Sequence, residues 1–321
     1  VVDRAVVAMT RPTPDTGITI VGAGIAGAAC ATVLRDAGVA FRLVDRSLAV
    51  GGRMASPELN GRRVDIGAGY FTVRDPEFAA LVARWESAGL ARPWTDTFGV
   101  LSPGATPETS TGPTRWRTPD GLRSLVRSML ADVHVDTETV SALPDGDVVL
   151  AMPDPQASRL ATVPDAVDYQ PVLTVVGEFD ALQLPFHDAA FVNDHPVVEF
   201  LADDGARRGD DAPVLVAHTT AEFAREHRGD PDSAIAPVVA ALDELVGTGN
   251  PVRTHVHRWS FGKPVSAHDA TFALIESRER RTGFAGDQWC PTGAPRIESA
   301  WRSGTDLGRA LVQQYSRDGN A

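Results

Sequence analysis

The segment ITIVGAGIAGAAC at 18–30 constrains this chain more than any other stretch. Ile18 to Val21 has the short pattern of a buried strand, and Gly22-Ala23-Gly24-Ile25-Ala26-Gly27 opens an apolar helical run that continues to about Ala37 and stops at Gly38. Each glycine has a physical purpose. Gly22 permits the tight turn, Gly24 lets a pyrophosphate approach the backbone, and Gly27 lets the helix close on the strand. The helix N-terminus supplies N–H groups and partial positive charge to that anion. A second strand, Ala40 to Val44, ends at Asp45, where a carboxylate accepts from ribose hydroxyls and repels a 2′-phosphate. Gly22, Gly24, Ile25, Ala26, Gly27, Asp45 and Arg46 are therefore expected to hold a dinucleotide of the FAD or NAD type.

Two further glycine segments favour FAD. Gly51-Gly52-Arg53 follows the ribose acid closely, where a second turn returns the chain to the pyrophosphate and Arg53 can pair with it. A simple NAD dehydrogenase has no need of this turn. Arg62 to Phe71 then runs through Gly67, Ala68 and Gly69, small residues that admit a flat ligand close to the backbone. Near the other end, Thr282 to Ala285 reads as a strand ending in Gly286-Asp287, and Pro295 to about Val312 as an amphipathic helix with Ala300, Leu307 and Leu311 inward. Asp287 can accept from a ribityl chain, and the helix start at Arg296 and Ile297 can aim its positive end at the pyrimidine side of a flavin.

Composition bounds the partners. At 321 residues the chain is long for one core, so two packed domains are expected. A net charge of −12 disfavours a phosphate backbone and hence nucleic acid. No apolar run reaches the roughly 18 residues of a membrane span. The two cysteines, Cys30 and Cys290, form no disulfide framework and suggest a reducing cytoplasm; no metal site is expected. Residues 1–16 lack the apolar core of a secretory signal and read as a disordered leader. Lys263 is the sole lysine, all other basic side chains being arginine.

The segments VGAGIAGAAC, DRSLAVGGRMAS, RRVDIGAGYFTVRDPEF, HRWSFGKP and FAGDQWCPTGAPRIESAWRSG resemble the bacterial renalase-like proteins, a branch of the FAD-dependent amine-oxidase fold. The resemblance runs from about Ile18 to the C-terminus. It implies noncovalent FAD, with Asp45 on the ribose, Gly22, Gly24, Gly27 and Arg53 on the pyrophosphate, and Asp287 on the ribityl chain. It further implies an α/β fold of amine-oxidase or p-hydroxybenzoate-hydroxylase-like architecture: a discontinuous Rossmann-like FAD domain (17–72, 118–162, 275–321) and an inserted α+β substrate domain of mixed or antiparallel sheet (73–117, 163–274). The chain departs from the full pattern in its middle. There 102–116 reads as a loop and 133–152 has little strand.

No second GxGxxG, no CxxC and no Ser-Gly-Gly-Cys-Tyr occur, which disfavours a two-nucleotide reductase, a disulfide reductase and a covalent flavin in turn. The substrate domain is expected to contain strands at 172–179, 197–201, 214–218 and 253–259 and a helix at 234–246, with the charged run 203–211 forming a solvated hairpin tip. Tyr70, Phe71, Trp259, Trp289 and Trp301 either wall a substrate or pack the core, and His255 and His257 share one strand face without a third metal ligand. Lys263 matches the place of a lysine that bonds flavin N5 through water in several amine oxidases, or else lies on the surface. Tyr70, Trp259, Trp289 and Lys263 are the catalytic candidates.

Three functions fit: an oxidase that takes hydride from 2- or 6-dihydroNAD(P) isomers and reduces O2 to H2O2, an amine oxidase or desaturase on the same fold, and a non-catalytic flavin-binding redox sensor. An aromatic cage or a carboxylate would suit an amine. A wide mouth with arginines would suit a dinucleotide.

Overall fold

A computed structural model describes residues 17–318; the expected leader at 1–16 lies outside the described residues. In chain order the first elements are β1 (Ile18–Val21), α1 (Ile25–Asp36), β2 (Phe41–Asp45), β3 (Glu58–Leu59), β4 (Arg62–Arg63), β5 (Phe71–Thr72), α2 (Pro76–Ser87), β6 (Arg92–Leu101), β7 (Glu108–Arg117), α3 (Arg123–Met129), β8 (Val135–Thr137) and β9 (Asp147–Ala151). They are followed by α4 (Asp154–Ala157), β10 (Tyr169–Glu178), β11 (Ala189–Val192), β12 (Val198–Asp203), α5 (Asp204–Arg208), β13 (Val214–Thr219), α6 (Ala221–Glu226), α7 (Ile235–Val246), β14 (Arg253–Pro264), β15 (Ala273–Glu276), β16 (Arg281–Ala285) and α8 (Ile297–Asp318).

These strands form two large sheets. The first has the order β15-β16-β9-β1-β2-β8, parallel except for the hairpin of β15 with β16. Its centre is β1, apolar and buried along its whole length because both faces are covered. Ala28, Ala29, Ala31 and Leu34 of α1 pack beside it, joined by Leu307 and Leu311 of α8. The second sheet has the order β14-β10-β13-β12-β11-β6-β7-β5, antiparallel except where β11 runs parallel to β6. Alternation gives it two apolar faces. Leu173, Val175, Leu215 and Ala217 turn to Phe223 of α6 and Val238 of α7, while Val176, Phe200, Val214 and Val216 turn to Val64 and Ile66 of the cofactor segment.

Three expectations are corrected. The stretch read as a loop at 102–116 contains the strand β7, paired along β6. Its outer neighbour β5 covers only two residues, so most of it is a sheet edge that tolerates Pro113, and its threonines suit a strand. The charged run 203–211 is not a solvated tip: Asp204, Arg207 and Arg208 of α5 are buried at 0%, 1% and 9% exposure. Asp203 caps α5 by accepting from the Ala206 amide at 3.0 Å. Finally α2, assigned from sequence to the substrate domain, inserts Phe78, Leu81 and Trp85 into the core of the first sheet, where Phe78 meets Trp301 at 5.2 Å.

Among the described residues no helix is long and apolar enough to cross a membrane, and no three His, Cys, Asp or Glu side chains are grouped to hold a metal.

Candidate cofactor and active site

The β1–α1 turn opens one end of a cleft of about 2070 Å³ between the two sheets. Gly22, Gly24, Ile25, Ala26, Asp45 and Arg46 line that end. Gly22 has φ +110°, and a Cβ on it would lie 2.4 Å from the Ala151 carbonyl oxygen, so only glycine makes this turn. Gly27 does not line the cleft. A Cβ there would sit 1.9 Å from the Gly22 oxygen, which shows that its task is the close seating of helix on strand. Asp45 ties the second strand to the turn, its Oδ2 accepting from the Ala23 amide at 2.7 Å and its Oδ1 from the Ser47 amide at 2.8 Å.

The other two glycine segments converge on the middle of the cleft. Gly52, Arg53, Gly67 and Ala68 line one side, and Gly286, Asp287, Ile297 and Ala300 the other. Arg53 joins them: Nη1 donates to Asp287 Oδ2 at 2.8 Å and Nη2 to Oδ1 at 2.6 Å, a bidentate pair. Burial opposes the guanidinium charge, yet Asp287 and Tyr169 hold the Arg53 pKa above its ordinary value. Burial, then Asp287, pushes the Tyr169 phenol up, so it stays a neutral donor, to Asp287 Oδ1 at 3.2 Å and to Gln288 Oε1 at 2.9 Å. Tyr169 stands at the head of β10 with no motif around it, and sequence reasoning missed it.

The segment 65–69 forms the back of the cleft and is fixed from the second sheet. Ile66 O accepts from Thr174 Oγ1 at 2.7 Å and from Trp259 Nε1 at 2.8 Å. A Cβ at Gly67 would lie 1.9 Å from Arg53 O, so the chain crosses itself closely there. Behind it Arg207 donates to Gly69 O at 3.1 Å and to Asp204 Oδ1 at 2.5 Å, while Arg62 donates to Asp204 Oδ2 at 2.8 Å. Arg208 Nη2 lies 2.7 Å from Asp65 Oδ2. Burial opposes the charge on Asp204, but Arg207, Arg208 and Arg62 together hold its carboxyl below the usual range.

Of the catalytic candidates, Tyr70, Trp259 and Lys263 line the cleft and Trp289 does not. Trp289 is 4% exposed and stacks on His268 with ring centroids 3.6 Å apart, in the core behind the first sheet. It belongs to packing. Trp301 likewise packs on Phe78, and Phe71 on Phe78, Trp85 and Trp116. Lys263 pairs with Glu199, so neither charge stands alone. The cleft also gathers Phe191, Phe200, His218, Arg228, His255, His257 and Arg258, of which the sequence singled out only the β14 residues. His218 was legible in principle: it ends the alternation Val214, Val216, His218 on the face toward the cofactor segment.

These residues fit an extended flavin dinucleotide. Gly24 has an ordinary φ of −74°, and a Cβ on it would meet nothing within 4 Å, so no protein contact demands glycine; the open space at the start of α1 does. Neither thiol lines the cleft. Cys30 is buried, its pKa pushed up to about 12 by burial, and Cys290 Sγ donates to Thr292 O at 3.2 Å.

The fold is that of the flavin amine oxidases, and the residues lining the cleft suit an extended flavin dinucleotide. Residues 20–85 match the NAD(P)-binding Rossmann-like domain family. The chain is similar to renalase of Mus musculus, 23% identical over 308 residues, with 78% of this chain and 86% of the mouse protein covered. Its architecture is shared with cyclohexylamine oxidase from Brevibacterium oxydans IH-35A at TM-score 0.72 and 12% identity, over 94% of this chain and 100% of that one. Wild-type putrescine oxidase bound to putrescine superposes at TM-score 0.68 and 16% identity, with the same coverage.

Proposed function

We propose that this protein is a renalase-like oxidase of dihydronicotinamide dinucleotides. The observation that carries the reading is the charge of the cleft. Four carboxylates line it and each is engaged: Asp45 with the Ala23 and Ser47 amides, Glu138 with Arg42, Glu199 with Lys263 and Asp287 with Arg53. None is left for a substrate ammonium. The cleft lining instead includes Arg228 and Arg258, which suit the phosphates of a dinucleotide. Burial, then His255 and Arg258, pushes the His257 pKa down, so His257 serves there as a neutral hydrogen-bonding group.

FAD held by these residues would supply a hydride acceptor that O2 could reoxidise, with release of H2O2. The work of the protein is to position and desolvate the substrate ring. Tyr70, Phe200 and Trp259 supply flat apolar walls, and loss of hydride restores an aromatic nicotinamide ring without need of a base. Asp45 orients the ribose, and the Arg53–Asp287 pair supports the pyrophosphate and ribityl chain.

Anaerobic mixing of the holoprotein with 2- and 6-dihydroNAD(P) and with a panel of amines tests this reading. Rapid bleaching of the visible flavin absorbance by the dihydronicotinamides alone is the expected result. Bleaching by amines alone would overturn it, and a flavin that no donor reduces would point to a sensor.

A further inference from the structure

The larger sheet sets a row of side chains across the floor of the cleft. His218 of β13 is registered with Thr174 of β10, Thr174 with His257 of β14, and Phe200 of β12 with His218. The row faces the cofactor segment, because Thr174 Oγ1 donates to Ile66 O at 2.7 Å, and His218, His257 and Phe200 all line the cavity.

Within this floor His218 has an unmet polar group. Its ring packs against Phe200 at 5.5 Å, and its Nε2 is buried with no hydrogen-bond partner. A buried unpartnered nitrogen is a cost, and because the His218 ring is partly exposed and lines the cavity, a turn of the ring about Cβ–Cγ brings Nε2 to a ligand lying on the floor, which relieves that cost. Burial, then Lys263 and Arg207, pushes the His218 pKa down to about 3, so the imidazole is neutral under physiological conditions. A neutral imidazole offers one donor and one acceptor. It has no charge with which to hold a phosphate, and a pKa this low makes it a poor base for an ammonium proton. The Lys263–Glu199 pair joins β14 to β12 across β10 and β13 and already engages the carboxylate of this region. An uncharged amide, which can serve either tautomer, is the chemistry that fits.

We infer that His218 is the specificity-determining residue of the substrate site, hydrogen-bonding through Nε2 to the carboxamide of the dihydronicotinamide ring and thereby fixing the ring on the floor. The inference rests on the dinucleotide reading above and adds the group that recognises the ring.

The test uses holoprotein carrying His218→Phe or His218→Gln, with FAD content and visible spectrum recorded first as the check on folding. Anaerobic reduction is then followed with 6-dihydroNAD and with its analogue bearing a methyl group in place of the carboxamide. With each rate divided by that of the same donor with free flavin, the wild type is expected to favour the carboxamide by about 10- to 100-fold in second-order reduction rate, His218→Phe to lose that factor, and His218→Gln to keep part of it. Flavin-replete His218→Phe with the wild-type preference would overturn the assignment while leaving the dinucleotide reading intact. A wild type reduced by no dihydronicotinamide would remove both. If His218→Phe lacks flavin, the decision falls to His218→Gln, whose preference must lie below that of the wild type.

Discussion

Gly24 and Gly27 occupy one helical turn and do opposite work. A Cβ at Gly27 collides with the Gly22 oxygen at 1.9 Å, whereas a Cβ at Gly24 enters open space. Gly27→Ala is therefore expected to lower the yield of folded protein and its melting temperature, with or without flavin. Gly24→Val is expected to leave the melting temperature of the flavin-free protein nearly unchanged and to abolish flavin retention, which calorimetry together with absorbance after gel filtration would read. Asp45→Ala and Arg53→Ala should each weaken FAD by about 1 to 3 kcal/mol for a lost charge-assisted bond, measured by fluorescence titration. Full retention in both variants would mean that the cofactor lies elsewhere. These residues were legible because their constraints are local: a strand, a turn and a helix announce themselves within a few positions. The partner of Arg53 was not legible, since Asp287 is 234 residues away and only the fold brings the two together.

At the scale of elements, α5 shows where sequence reading failed and why. A run of Asp and Arg between two strands ordinarily faces water, and what buries this one is Arg62 and Asp65, supplied by a distant segment. No spacing rule connects them. Buried ion pairs contribute little against apolar replacements but are costly to break, so Arg207→Ala, which leaves Asp204 to Arg62 and Arg208 and frees Gly69 O, should lose stability in chemical denaturation, by less than the roughly 3 to 5 kcal/mol of a fully stranded buried charge. The pH response follows. Because the folded-state pKa of Asp204 is depressed, its contribution is present above the unfolded carboxyl value of about 3.9 and is lost as pH falls through the lower folded value. Removing Arg207 raises that folded value, and acid unfolding followed by circular dichroism should begin at higher pH in the variant than in the wild type. The strand β7 was missed for a different reason. Its polar threonines and Pro113 read as a loop until β6 is present to pair with them.

For the molecule as a whole, the cleft is bounded by both sheets and by segments from near both ends of the described chain, so a ligand that fills it holds all of them together. FAD at 100 times its dissociation constant should add about 2.7 kcal/mol to stability, visible as a melting temperature that climbs with added FAD. NAD at the same concentration is expected to shift it less, since it lacks the ribityl chain proposed to bond to Asp287. A melting temperature indifferent to FAD would contradict the site. The fold class was readable from the glycine segments and the resemblance they carry. The substrate floor was not, because a row such as Phe200, His218, Thr174 and His257 exists only once four strands are in register.

The Arg53–Asp287 clasp also sets an order in time. Translation delivers the β1–α1 turn, Asp45 and Arg53 early, but the acid that completes the slot emerges only with the last part of the chain. A nascent protein can therefore form much of its first sheet yet remain unable to close this clasp until Asp287 has been made. Capture of the cofactor then waits on β16 and the turn after it, and a chain ended before Arg281 should emerge from the ribosome colourless, however well its N-terminal half has folded.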